Sequence, residues 1–184
     1  MSGASIDSIT RIFEFSENAT VSQRLVEWEE YNRFSSDIQR LRGVFGEDWQ
    51  SDSCQAVLRP LNTLRFQLGS GMIAPRVVFA LEEGRNENFL QEVNSALSAV
   101  ADTYPDAKPL TDSIASQLVS WEGSTENPLL DEVEKVVAGA GSGTGRWAIV
   151  LRGVSSLTAC RMALEETLKD WAVDARQADP EGGR

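Results

Sequence analysis

Residues 139–153 read GAGSGTGRWAIVLRG, and how this stretch is read decides the fold class. Its second half, WAIVLR (147–152), is apolar on both faces apart from its last residue, the pattern of a strand covered on both sides within a sheet. Its first half looks like a phosphate-binding loop. A Walker-type loop needs GxxxxGK[ST] after a strand and before a helix, so that backbone N–H groups and the helix N-terminus converge on phosphate. Here Gly145 is followed by Arg146 and Trp147, and the strand follows the glycines instead of preceding them. The dinucleotide pattern GxGxxG fails as well, because its third glycine falls on Thr144 or Arg146. The glycines therefore read as a helix-to-strand connector.

On either side of the strand the signals are helical. Asn127-Pro128 supplies an N-cap and a proline at the first helical position; Asp131, Glu132 and Glu134 follow near the start, Leu130, Val133 and Val137 form an apolar stripe, and Gly139 stops the helix. Beyond the strand, Ser155 or Ser156 caps a final helix carrying Leu157, Cys160, Leu164, Leu168, Trp171 and Ala175. Residues 126–178 thus read as an α-β-α unit, with 179–184 a frayed tail. One strand is not stable alone. Its neighbours would be RVVFAL (76–81) and ITRIFEF (9–15), each open to a strand or a helix reading, or would lie in another chain or a continuation of this one. An N-terminal piece of a larger protein is one expectation.

Residues 1–125 read as mainly helical. Thr20 and Gln23 have capping-box spacing, and Val21, Leu25, Trp28, Tyr31, Phe34, Ile38, Leu41 and Phe45 recur at helical steps. A second stripe runs through Cys54, Val57, Leu61, Leu64 and Leu68, with Pro60 marking either a kink or a helix beginning near Arg59. Pro75 and Gly84 favour a helix for 76–81, while its β-branched residues favour a strand. Phe89, Leu90, Val93, Ala96, Leu97 and Val100 form a clear helical face. Thr111 opens a shorter helix with Ile114, Leu118 and Trp121. The fold class expected is mixed α/β, predominantly helical, with a small or incomplete sheet, and the whole forms either two regions or one domain.

Composition narrows the chemistry. At 184 residues, 41% hydrophobic and 24% charged, the chain has the makings of a globular core. No apolar run approaches the roughly 20 residues of a membrane span, and the N-terminus lacks a secretory pattern. Cys54 and Cys160 fall among helically spaced apolar residues, which suggests buried thiols and a cytoplasmic location. There is no histidine, which removes Ser-His-Asp and Cys-His nucleophiles and His-ligated zinc within this chain. None of the three lysines, Lys108, Lys135 and Lys169, has a serine three residues before it. No catalytic residue set, metal site or cofactor motif is assembled, and a non-enzymatic role is expected. The net charge is −11; residues 86–140 hold ten acids and two bases, a balance of −8. A surface tracking polyanions needs a basic patch, so nucleic acid is admitted only through a local arginine-bearing site.

That local site is the loop after the strand, where open α/β sheets bind ligands. Arg152, Gly153, Ser155 and Ser156 offer a guanidinium, a permissive glycine, two hydroxyls and the free N–H groups of a helix start, which suit phosphate or carboxylate. The order helix, connector, apolar strand and Ser/Arg-bearing loop over about 127–175 resembles the beginning of the second RecA-like lobe of superfamily 2 helicases. That resemblance implies contacts with a nucleic-acid backbone at this loop. It implies no ATP hydrolysis here, because Walker A, the DEAD-type acidic motif and the arginine-finger motif are all absent. Trp49, in the polar break GEDWQSDS, is the one tryptophan off the apolar stripes and is a candidate interface residue. The leading expectation is an interaction or regulatory module with a protein partner, working within a larger protein or complex.

Overall fold

Four long helices close into a ring. In a computed structural model that describes residues 26–139 and 157–167, the elements are α1 (Glu29–Phe45), a 3₁₀ turn (Gly46–Gln50), α2 (Asp52–Ser70), α3 (Pro75–Glu83), α4 (Phe89–Thr103), a second 3₁₀ turn (Pro105–Ala107), α5 (Lys108–Glu122), α6 (Pro128–Gly139) and α7 (Leu157–Thr167). The described residues belong to one compact unit, Val26–Asp174. Helix α1 packs on α2 and α5, and α4 packs on the same two from the other side. The pairings run antiparallel. Tyr31 near the start of α1 lies against Gly69 at the end of α2, and Phe34 near the same start meets Trp121 at the end of α5, whereas Phe45 at the end of α1 meets Tyr104 just after α4, so the two diagonal helices run in the same direction. Helix α3 packs against α2, α4 and α5.

The apolar stripes point into this ring. Phe34, Ile38 and Leu41 of α1, Leu61, Leu64 and Leu68 of α2, Leu97 of α4 and Ile114 and Leu118 of α5 are essentially removed from water. Each such side chain contributes about 2 kcal/mol relative to exposure. Trp28, Phe34 and Trp121 close one end, with ring centroids 4.9 Å apart for the Phe34–Trp121 edge contact. Both cysteines are free and buried, Cys54 in the ring and Cys160 on α7. Burial pushes the Cys160 thiol up, opposed by a hydrogen bond with the Met72 backbone.

Several expectations are corrected. The predominantly helical reading holds, but no strand occurs among the described residues, so the sheet of the mixed α/β reading finds no support there. Residues 76–81 lie in a helix: Pro75 starts it, and Pro75, Val78, Phe79 and Glu82 are buried at helical spacing. WAIVLR (147–152) and ITRIFEF (9–15) fall outside the described residues. Helix α1 begins at Glu29, because Trp28 takes a non-helical conformation (φ −128°, ψ 88°) as it packs between Tyr31 and Trp121. Thr111 is not a cap. It is buried inside α5, donating to the Lys108 carbonyl at 2.9 Å, and Pro109 accounts for the earlier start. Helix α2 runs continuously through Pro60.

Asn127 does more than cap α6. Its Oδ1 accepts from the Leu129 N–H at 2.9 Å, while its Nδ2 donates to the carbonyls of Ile73 at 2.7 Å and Gly71 at 3.4 Å. One fully buried amide thereby joins the start of α6 to the connection between α2 and α3. The Arg76 N–H, donating to the Ser124 carbonyl, links the same two loops.

Candidate functional site

The site is built around the tight connection between α1 and α2. Arg42 lies in the last turn of α1, and the chain then turns at Gly46, whose φ of +54° favours glycine. The 3₁₀ turn that follows carries Trp49, and Ser51 caps α2 by accepting from the Cys54 N–H. Trp49 is half-buried, packed against the edge of the core. The Arg42 Cζ lies 4.1 Å from the centre of its ring, a cation–π contact worth about 0.5–1 kcal/mol at an exposed position. Gln55 Nε2 donates to the Trp49 carbonyl at 2.8 Å, and Gln55 Oε1 accepts from Arg59 Nε at 3.2 Å. These residues, with Leu58, Asn62 and Thr63, line a groove of about 420 Å³ between α1 and α2.

Gln55 and Arg59 form a ridge with a second groove on its far side. That groove, of about 530 Å³, lies between α2 and α4 and is lined by Asp52, Ala56, Pro60, Phe89, Glu92 and Val93 among others. Pro60 has no N–H to give the Ala56 carbonyl, so the helix ladder is interrupted where this groove runs. A third, smaller depression carries Glu83, Glu87 and Glu122, yet among the described residues no group of acids, cysteines or histidines is arranged to hold a metal ion.

The sequence-predicted residues divide cleanly. Trp49 stands in the groove. Arg152, Gly153, Ser155 and Ser156 lie outside the described residues. Arg42, Gln55 and Arg59 were not singled out by sequence reasoning, because it followed the apolar stripe of α2. The signal lay on the opposite face, where Gln55, Arg59, Asn62 and Thr63 also recur at helical spacing. Two acids, Glu82 and Asp37, are buried. Glu82 accepts from Gln67 at 2.7 Å and from Arg85 at 2.6 Å, and Asp37 accepts from Ser113 at 2.7 Å.

No protein-family model matches the chain, and comparison with curated proteins and with solved structures finds no match. The helicase-lobe resemblance gains no support from these comparisons.

Proposed function

We propose that the chain is a non-catalytic interaction or regulatory module, cytoplasmic and acting within a larger protein or complex, that presents its α1–α2 face to a protein partner. The observation that carries this reading is Trp49, a half-buried indole covered by Arg42 at the wall of an open groove. Tryptophan and arginine are the residue types that dominate binding energy at protein interfaces, especially where an apolar centre is framed by polar groups. Leu58, buried beneath the groove, backs its floor, and Gln55, Asn62 and Thr63 supply the polar frame. No helix among the described residues is long and apolar enough to cross a membrane.

The test compares proteins captured from native extract by the full wild-type chain and by Trp49→Ala, with circular dichroism to verify that both are folded. A partner retained by the wild type and lost, by roughly tenfold or more in affinity, from the variant supports the reading. Capture of the same partners by both chains removes the groove from the account. The alternative, phosphate contact by the loop after Leu151, rests on the sequence alone. Salt-sensitive polynucleotide binding that Arg152→Ala weakens by about one phosphate equivalent would replace the interface reading.

A further inference from the structure

The α1–α2 groove also carries information about what it binds, an inference that rests on the interface reading above. Acids outnumber bases 28 to 17, so carboxylates are plentiful around any guanidinium. Six of the ten described bases, Arg33, Arg40, Arg85, Lys108, Lys135 and Arg161, pair with an acid, whereas among the described residues Arg42, Arg59, Arg65 and Arg76 do not, and of these four Arg42 and Arg59 share an opening. Arg42 and Arg59 line one groove, and among the described residues neither has a carboxylate partner. They are nonetheless held in place. Arg42 lies over the Trp49 ring, and Arg59 gives its Nε to Gln55, which is itself fixed on the Trp49 carbonyl. The remaining guanidinium N–H groups have no hydrogen-bond partner among the described residues. Donors whose ordering is met before a ligand arrives lower the entropy cost of binding.

The geometry points to a carboxylate-bearing segment of a partner protein as the occupant, with an Asp or Glu side chain on Arg42 and Arg59 and a neighbouring apolar side chain against Trp49. Guanidinium groups match carboxylates in a two-pronged geometry. A polyanion fits less well. Glu47 and Asp48 stand in the same 3₁₀ turn and Asp52 in the first turn of α2, and the chain as a whole carries −11, so repulsion grows with each further charge on the ligand.

The test titrates nitrogen-labelled full chain with the hexapeptide ALEFEA and its neutral counterpart ALQFQA, following the Trp49 indole N–H signal, assigned with Trp49→Phe. ALEFEA is expected to shift that signal saturably and to bind roughly tenfold more tightly than ALQFQA, the size of one charge-assisted hydrogen bond. Arg42→Gln and Arg59→Gln, at exposed positions and checked for wild-type melting, each erase most of that preference. Raising salt from about 0.05 to about 0.5 M narrows it. Equal affinity for the two peptides overturns the carboxylate preference while leaving the interface reading intact. No shift with ALEFEA, or tighter binding of inorganic phosphate or a single-stranded oligonucleotide at the same signal, overturns the inference as well. Partner capture that ignores Trp49 overturns the interface reading instead.

Discussion

At Asn127, capping and tertiary anchoring fall on the same side chain, and substitution can separate them. Asp caps a helix as well as Asn does. It cannot, however, donate to the Gly71 and Ile73 carbonyls, and it would set a charge against them in a site only 1% exposed. Asn127→Asp is therefore expected to cost about 2–3 kcal/mol in urea denaturation, and stability equal to wild type would show that the tether contributes nothing. Tyr104 makes a different kind of residue-scale prediction. Its hydrogen bond with Cys54 first, then burial, then the charges of Cys54 and Asp48 and the bond to Asp48, push the phenol up from 10.0 to about 12. A raised phenol means that the folded state holds this proton more tightly than the unfolded chain does. Its contribution to stability is complete below about pH 10 and is lost as the pH climbs toward about 12. Wild-type protein should thus lose stability more steeply than Tyr104→Phe across that window in alkaline unfolding; parallel curves would show the phenol uncoupled from folding. Single buried acids were the hardest feature to foresee. Asp37 and Glu82 share register with Phe34, Ile38, Val78 and Phe79, but a sequence pattern sorts residues by polarity and leaves a buried acid's partner in another helix out of view.

Among the elements, α2 carries the most consequence, because it contributes to the ring, to both large grooves and to the Gln55–Arg59 ridge. Pro60→Ala would restore an N–H for the Ala56 carbonyl and remove the ring's clash with the preceding turn. A gain of about 1–3 kcal/mol is expected from urea denaturation. A loss would show that the interruption is what seats α2 against α4. Helix existence was legible wherever a stripe ran for several turns, as with Phe89, Val93, Leu97 and Val100 in α4, all buried as expected. Boundaries were less legible. Trp28 continues the apolar period of α1 and is buried, yet it stands outside the helix because aromatic packing fixes its backbone. Thr111 has the right chemistry for a cap, but Pro109 had already set the start. RVVFAL was open between two structures because β-branched residues suit strands while Pro75 suits a helix start, and burial of Val78, Phe79 and Glu82 along one helical face decided it.

For the molecule as a whole, the sequence showed how many apolar faces there were but not which faces meet. Stripes of similar width fit several pairings, and the choice is made by specific contacts such as Tyr31 against Gly69, where an added Cβ would collide with the phenol. The groove was invisible for the same reason: Arg42 and Arg59 stand 17 positions apart in the chain, and only the reversal at Gly46 brings them to one opening. The burial of both thiols turns the chain into its own pair of clocks. Cys54 sits inside the ring and Cys160 on α7, with 0% and 1% exposure, so an alkylating reagent must wait for a different opening at each. Exposing Cys54 requires the ring itself to part, whereas Cys160 needs only α7 to lift. Mass spectrometry of timed alkylation in native buffer should find Cys160 modified first, even though its thiol is held up by burial. The opposite order would mean that α7 is fastened as tightly as the ring, and the ratio of the two rates would measure how far opening at one end of the molecule is independent of the other.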